Sequence, residues 1–374
     1  MRSAVAALTF LLWLSAPAAA SPQRILHLSF VGDIMGHDVN YIMGDYADIY
    51  AGVSDIFLND DLTFANLELP VDPTRPVSGY PFFNGTPAYA RAALDAGIDV
   101  FSLANNHAFD GGVEGIFQTL RSVESLRGGS RPFWVSGIRG NPGVPFRPTV
   151  ISVQGVRVGF LALSQFLNVP GGLRYVNVVD YGDEGAVDQL LGIVRAARRQ
   201  VDLLVVSWHG DAEYAQRPAP GKRQFFRRLL DAGAQVVFSH HPHVVQGYEI
   251  ARGAAAGQDG LIMYSMGNFI SGMTWGLGPS VARPPLAETG EAYILQVDVL
   301  CSDSGCSVQD AMPVPVANYK DARGEMVVGR LDRLADGSIP VGAAWKRYFA
   351  GRLSLMREFL RTTSGWSGPG RASQ

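Results

Sequence analysis

Cysteine is nearly absent: only Cys301 and Cys306 occur in 374 residues. That excludes a fold held by a disulfide network and a metal cage built from thiolates, both of which need more sulfur. Charge is sparse as well. Charged residues make up 17% of the chain, and 31 basic against 34 acidic side chains leave a net charge of -3. No basic stripe follows the sequence, which argues against nucleic acid as a partner. After the first twenty residues no apolar run is long enough to span a bilayer, and there is neither a low-complexity block nor an internal repeat. What is present is 47% hydrophobic residues, enough for a sizeable globular core.

The first twenty residues have a charged start at Met1-Arg2, an apolar centre from Ala4 to Leu14 and the ending Ala18-Ala19-Ala20 before Ser21. These are the parts of a cleavable signal peptide over 1–20. No cysteine near the cleavage point could carry a lipid, so the mature protein is expected to be soluble and secreted or periplasmic. In an oxidising compartment Cys301 and Cys306, with four residues between them, suit a disulfide across a hairpin turn. A metal thiolate pair is the alternative.

Strand-type runs alternate with helix-type runs along the chain. Ile25 to Val31 reads as a strand ending at Gly32-Asp33, and Gly52 to Asn59 carries apolar residues at helical spacing. Leu62 to Leu67 returns to strand character and stops at Glu68. Thr86-Pro87 opens a helix closed by Gly97, Ile98 to Leu103 is the next strand, and a helix follows Gly111-Gly112 to about Ser125. Thr149 to Val153 and Val156 to Leu163 flank Gln154-Gly155, the spacing of a tight hairpin. Asp183 to Arg199 is an amphipathic helix with acidic residues first and arginines last. Val201 to Trp208 is an apolar strand, Lys222 to Asp231 a helix, and Trp345 to Leu360 a terminal helix. The pattern predicts one α/β domain with mixed sheets over 21–320, a C-terminal extension over 321–361 and a disordered tail over 362–374.

The stretch Gln235 to Gln246 is the densest in chemistry. Three of the seven histidines, His240, His241 and His243, follow an apolar run and surround the stiff Pro242. A polar turn with solvent-exposed histidines is the plain alternative. Other apolar strands end at Asp33, Glu68, Asn105-Asn106-His107 and His209. In α/β folds ligands bind beyond the carboxyl ends of strands, so five such arrivals can converge on one site. Carboxylate, amide and imidazole without thiolate suit one or two divalent ions of the Mn, Fe or Zn type, and fit calcium poorly. A carboxylate can bridge two such ions for attack on a phosphorus or acyl centre. His107, oriented by Asp110 three residues on, is then a candidate proton donor to the leaving group.

These residues resemble the CapA family, the bacterial capsule proteins of poly-γ-glutamate synthesis, whose fold is similar to the calcineurin-like metallophosphoesterases. The motifs that carry the resemblance are Gly32-Asp33-Ile34-Met35, Asn66-Leu67-Glu68, Ala104-Asn105-Asn106-His107 with Asp110, His209 with Glu213-Tyr214, His240-His241-Pro242-His243 and Tyr264-Ser265-Met266-Gly267-Asn268-Phe269. They occur in family order between about Leu26 and Ile270. The resemblance implies a four-layer α-β-β-α sandwich of two mixed sheets. It also implies that Asp33, Glu68 and His243 hold one ion and that Glu68, Asn106, His209 and His241 hold the other. His107 would be the acid, and Asn105, His240, Glu213, Tyr214 and Asn268 would meet the substrate. The chain departs from the pattern at Met35, where metallophosphoesterases carry a histidine. His37 is the nearest replacement, and a one-ion site stays open. Asp211, just past His209, is either a further ligand or a turn residue.

Two functions follow from this reading. One is an extracytoplasmic metal-dependent hydrolase acting on a phosphoester or amide of a cell-envelope polymer. The other is a non-catalytic factor that binds poly-γ-glutamate or a similar polyanion, for which Arg75, Arg131, Arg174, Arg217 and Lys222 are the candidate contacts. A bare structural domain with incidental histidines is the third. Substrate choice would lie in the loops Asp72 to Gly85 and Gly272 to Pro285.

Overall fold

The computed structural model describes residues 23–129, 131–255, 257–280 and 287–364. The expected signal peptide, part of the Gly272 to Pro285 loop and residues 365–374 of the expected tail lie outside them. In chain order the strands are β1 (Arg24–Ile34), β2 (Leu62–Leu67), β3 (Val100–Ser102), β4 (Trp134–Ser136), β5 (Thr149–Val153), β6 (Val156–Ser164) and β7 (Leu203–His209). They continue with β8 (Val236–His240), β9 (Val245–Ala255), β10 (Gln258–Met266), β11 (Asn268–Ile270), β12 (Glu291–Ser302), β13 (Gly305–Lys320) and β14 (Met326–Arg330). The helices are α1 (Asp38–Tyr41), α2 (Ser54–Phe57), α3 (Pro87–Asp95), α4 (Gly112–Leu126), α5 (Glu184–Arg198), α6 (Pro220–Asp231), α7 (Leu331–Asp336) and α8 (Ala343–Ser364).

Two mixed sheets result. The first has the order β14-β13-β12-β1-β2-β3-β4 with β11 beside β1, and the second the order β5-β6-β7-β8-β10-β9. In the second, parallel strands form the middle and antiparallel strands the margins; in the first, β1 to β4 run parallel out to one edge and β12 to β14 run antiparallel out to the other. Parallel neighbours need crossover helices, so β1, β2, β3, β7 and β8 deliver their carboxyl ends to one side of the molecule. The sheets face each other through aromatic rings. Phe30 of β1 and Phe64 of β2 stack at 4.8 Å between ring centres, and both meet Phe238 of β8 edge-on. Phe160 of β6 completes the cluster. Each buried Phe removes enough apolar surface to contribute roughly 2–3 kcal/mol.

Strand alternation decides which residues look into this core. In β7, Leu203 and Val205 join the inter-sheet core, while Leu204, Val206 and Trp208 pack on the helix side, Trp208 against Phe225 and Phe226 of α6. With a period of two, His209 is carried to the inner face. In β8 the same count puts Val236 and Phe238 inside and Val237 outside, which turns His240 inward. The expected hairpin forms, with Gln154 and Gly155 both at positive φ. Asp183 caps α5 by accepting from the Ala186 N–H at 3.0 Å.

Three expectations change. The helical spacing of Gly52 to Asn59 yields only the single turn α2. The extension expected over 321–361 contributes a strand to the main fold, because β14 pairs antiparallel with β13 in the first sheet. Thr362 to Ser364, expected in a disordered tail, form the last turn of α8, because the Ser364 hydroxyl accepts from the Tyr248 N–H of β9 at 2.8 Å. Cys301 and Cys306 are bonded as expected, as a cross-strand pair of β12 and β13. No helix of the described residues is long and apolar enough to cross a membrane.

Candidate metal centre

Asp33 reaches the inter-sheet space through a bulge. The register of β1 against β2 slips between Phe30 and Asp33, so Phe30 lies opposite Phe64 and Asp33 opposite Asn66. One extra residue in β1 therefore puts Asp33 on the face that strict alternation would deny it. The strand can bend there because Gly32 has no side chain. A Cβ at that position would lie 1.9 Å from the Gly267 carbonyl oxygen, the same oxygen that accepts from the Asp33 N–H at 3.1 Å. Asn66 Nδ2 then donates to Asp33 Oδ1 at 2.8 Å. Glu68 follows the end of β2, anchored by its N–H to the Ile34 carbonyl at 2.9 Å.

The turn after β8 is strained to bring the histidines in. His241 has φ 94° and His243 φ 57°, left-handed conformations that cost non-glycine residues ~1–2 kcal/mol each. In return the His241 N–H reaches Asp33 Oδ2 at 3.3 Å, and His243 Nδ1 lies 3.5 Å from the same oxygen. Asn268 Oδ1 is 2.9 Å from His243 Nδ1 and fixes the ring. His209 Nε2 is 2.8 Å from Asn106 Oδ1 and 3.4 Å from Glu68 Oε1. Two ligand-type groups emerge, Asp33 with Glu68 and His209, and Glu68 with His241 and His243. Glu68 belongs to both.

The electrostatics fit a missing positive charge. Both carboxylate oxygens of Glu68 are buried without a hydrogen bond, as are both ring nitrogens of His240 and Nδ1 of His241. A buried unpaired carboxylate costs several kcal/mol unless it is protonated or paired with a cation. Burial, and then the charge of Asp33, push the Glu68 pKa well above its ordinary value. Burial also raises Asp33, but its hydrogen bond to His243 and the fields of His240 and His209 outweigh this and hold it below the usual carboxylate range. Burial pulls His209 and His240 down to about 3, against the opposing pull of Asp33. His241 is lowered by burial too. His243 rises to about 9, because Glu68 and Asp33 overcome its burial. His209 and His241 are thus in the neutral form that ligates a metal, and His243 would give up its proton to a bound cation. The donor set and the orphaned atoms of Glu68 thus fit one or two divalent ions.

His107 stands beside this cluster. Its Nδ1 is 2.7 Å from Asp110 Oδ2, which also accepts the Phe83 N–H at 2.8 Å. The other ring nitrogen, Nε2, lies 3.4 Å from the Asn168 amide, and the Phe83 ring meets the imidazole edge-on. Asn105 donates to the Leu67 carbonyl at 2.9 Å and is buried, like His240 and Asn268. Asn105 and Asn268 hold neighbours by hydrogen bonds, while His240 Nδ1 lies 3.6 Å from Asp33 Oδ1. Glu213 is exposed, and Tyr214 lies at the mouth, 42% exposed, with its ring 6.3 Å from that of His243. Met35 is packed in the core, and His37 accepts the Gly272 N–H at 3.1 Å, outside both ligand groups.

Asp211 faces away from the cluster, accepting from the Ala219 N–H at 3.2 Å and lying 3.7 Å from Lys222 Nζ. Lys222, expected as a polymer contact, is fully buried in α6, beside Trp208 and 3.3 Å from Gln246 Oε1. Arg131 is paired with Asp99 at the amino end of β3 and is likewise remote from the mouth. Sequence reasoning overlooked Asn66 as an orienting residue, although its place in the period of Phe64 could have shown it. Phe83 and Asn168 carried no signal.

The family model described as bacterial capsule synthesis protein PGA_cap matches residues 27–273. The chain is 25% identical over 334 residues to the capsule biosynthesis protein CapA of Bacillus anthracis, covering 85% of this chain and 73% of that one. It is 27% identical over 265 residues to the PGA biosynthesis protein CapA of Bacillus subtilis (strain 168), covering 67% and 64%. Among solved structures, a calcineurin-like phosphoesterase YfkN from Bacillus subtilis is 12% identical with a TM-score of 0.43, covering 91% of this chain and 100% of that one. A novel phosphatase of Mycoplasma pneumoniae is 14% identical with a TM-score of 0.47, covering 81% and 96%.

Proposed function

This chain belongs to the PGA_cap family of bacterial capsule synthesis proteins, and from that premise we propose that it is a secreted or periplasmic metal-dependent hydrolase. Its substrate would be a phosphoester or amide bond in an anionic envelope polymer of the poly-γ-glutamate type. The observation that carries the proposal is Glu68, whose two carboxylate oxygens are buried without a hydrogen bond between two ligand groups that share it. Asp33, Glu68, His209, His241 and His243 would hold ions of the Mn, Fe or Zn type, with Asn106 supplying an amide oxygen. When bound, such ions supply Lewis acidity toward a phosphoryl or acyl oxygen.

The chain's own residues do the rest. Asp110 holds His107 by Nδ1, which leaves Nε2 to pass a proton to the leaving group. Asn268 and Asn66 keep His243 and Asp33 in place, so that little reorganisation is needed when substrate arrives. Tyr214 and the 77% exposed Tyr80 supply aromatic surface at the mouth for substrate to rest on. The exposed Arg75, Arg174 and Arg217, on loops that follow the carboxyl strand ends, support a second reading, a polymer-binding factor without turnover.

Elemental analysis of protein purified without chelator, beside a His241→Ala variant, separates the two. The hydrolase reading expects bound Mn, Fe or Zn that falls in the variant, together with metal-dependent cleavage of p-nitrophenyl phosphodiesters or γ-glutamyl amides. Protein that neither carries nor takes up metal, yet binds polymer, would leave only the second reading.

A further inference from the structure

A cleft of about 520 Å³ opens at the other end of the two sheets, where the strands begin. Arg24 starts β1, Arg157 follows the β5–β6 turn, and Arg198 and Arg199 end α5 just before β7. All four line the cleft, whose far wall is the hairpin turn tied by Cys301 and Cys306. From Asp33 to Arg24 is nine residues of strand, roughly 30 Å, so the cleft and the metal centre are separate sites. In a chain of net charge -3, four guanidiniums meet here with only Asp202 and Asp303 among them.

The guanidiniums are positioned, and their donors are mostly unspent. Gly155, at φ 76°, clears the way for Arg24, because a Cβ there would lie 2.2 Å from Arg24 Nη1. Arg24 gives one N–H to the Gln154 carbonyl, and Arg198 gives one to Val201 O at 2.8 Å. Arg157 already grips Asp202 with Nε at 3.2 Å and Nη2 at 2.8 Å, so the open donors lie mainly on the other arginines. A guanidinium has five N–H donors in a planar fork, so most of this set remains open to an incoming acceptor.

We infer that this cleft is a second binding site, for a carboxylate-rich anionic chain. Planar carboxylates match the guanidinium fork in a bidentate way, and a polymer that repeats them engages more than one arginine at once. The concavity of the site excludes the flat face of a bilayer as the natural fit. The cleft holds the chain away from the chemistry, at the end of the molecule with no metal-ligand cluster among the described residues. The choice of poly-γ-glutamate as probe rests on the proposed function, whereas the anion site itself does not.

The test is calorimetric titration of the purified full chain with a short poly-γ-glutamate oligomer, with chelator present so that the metal centre plays no part. Arg199→Glu, an exposed position, is expected to weaken binding roughly tenfold, the size of one lost charge-assisted hydrogen bond. The double variant Arg24→Gln with Arg198→Gln should lose measurable binding, while His241→Ala binds as the wild type does. Inorganic phosphate should bind far more weakly than the oligomer. Unchanged affinity in Arg199→Glu would overturn the site. So would loss of binding in His241→Ala alone, which would move the polymer to the metal centre. Arginine-dependent binding to phosphatidylglycerol vesicles without oligomer binding would reassign the cleft to a lipid headgroup. Failure of the oligomer with hydrolysis intact would remove the cleft and leave the proposed hydrolase standing.

Discussion

The carboxyl and amino ends of the same two sheets solve opposite electrostatic problems. At the carboxyl end, carboxylates and imidazoles are buried against one another, and Glu68 keeps two oxygens without a hydrogen bond. At the amino end, arginines line an open cleft and spend only part of their donors on the protein. A buried cluster of donors fits an ion small enough to be engulfed, while an open basic cleft fits a ligand too large to be enclosed. The strands that join the ends, packed through Phe30, Phe64, Phe160 and Phe238, let both be built on one rigid frame.

The sharpest way to test this contrast is at His107. On the proposed reading the imidazole is the acid and belongs to neither ligand group, so His107→Gln should lower turnover by about 10²–10⁴-fold with metal content unchanged. Polymer binding at the amino end should not move. Steady-state rates beside elemental analysis would show it, and loss of metal in this variant would merge acid and ligand roles that the geometry keeps apart.

Next is the shared frame. Phe238→Ala removes a ring in contact with Phe30, Phe64 and Phe160, and should cost about 3–5 kcal/mol in urea unfolding. Because the frame supports both ends, metal uptake and oligomer binding should weaken together. A variant that lost one and kept the other would show that the ends are not coupled through the core.

A smaller effect concerns Lys222, buried behind the carboxyl end. Burial pulls its pKa down to about 7, with Asp211 opposing. Between about pH 7 and the unfolded-chain value near 10.4, the unfolded chain binds the extra proton, so stability rises with pH across that window. Below about pH 7 both states hold the proton and the cost is constant. In urea unfolding of metal-free protein, the stability change from about pH 7 to about pH 9 should therefore be more positive than that of Lys222→Met by on the order of 2 kcal/mol. Parallel pH curves for the two proteins would show that the lysine is not desolvated.

The smallest effect belongs to the amino end. Arg157 and Asp202 form a solvent-exposed pair, so Arg157→Ala should change stability by no more than about 1 kcal/mol. A larger loss in thermal unfolding would mean that the cleft is structural.

Much of the carboxyl end was legible in the chain. Apolar runs that stop at Asp33, Glu68, His209 and His240 mark strand ends, and a period of two points His209 and His240 inward once the helix-facing residues are known. The Gln154-Gly155 turn, the capped α5 and the Cys301–Cys306 bridge could also be read locally, because each depends on neighbours a few residues away. Other features could not. The bulge that turns Asp33 inward is set by pairing with a distant strand, and the left-handed backbone of His241 and His243 is held by contacts from β1 and β11. Lys222 read as a cation open to polymer because nothing beside it in sequence reveals Trp208, Asp211 and Gln246 closing over it.

The sequence by itself determined which residue types arrive at strand ends, and so the class of chemistry, because alternation and turn propensity act over a few residues. Only the tertiary structure decided which of them come within ligand distance of one another and which lie apart. It also decided that Arg24, Arg157, Arg198 and Arg199 meet at all. Coulomb interactions act through space, and in a chain with its charges scattered only folding gathers four arginines into one cleft.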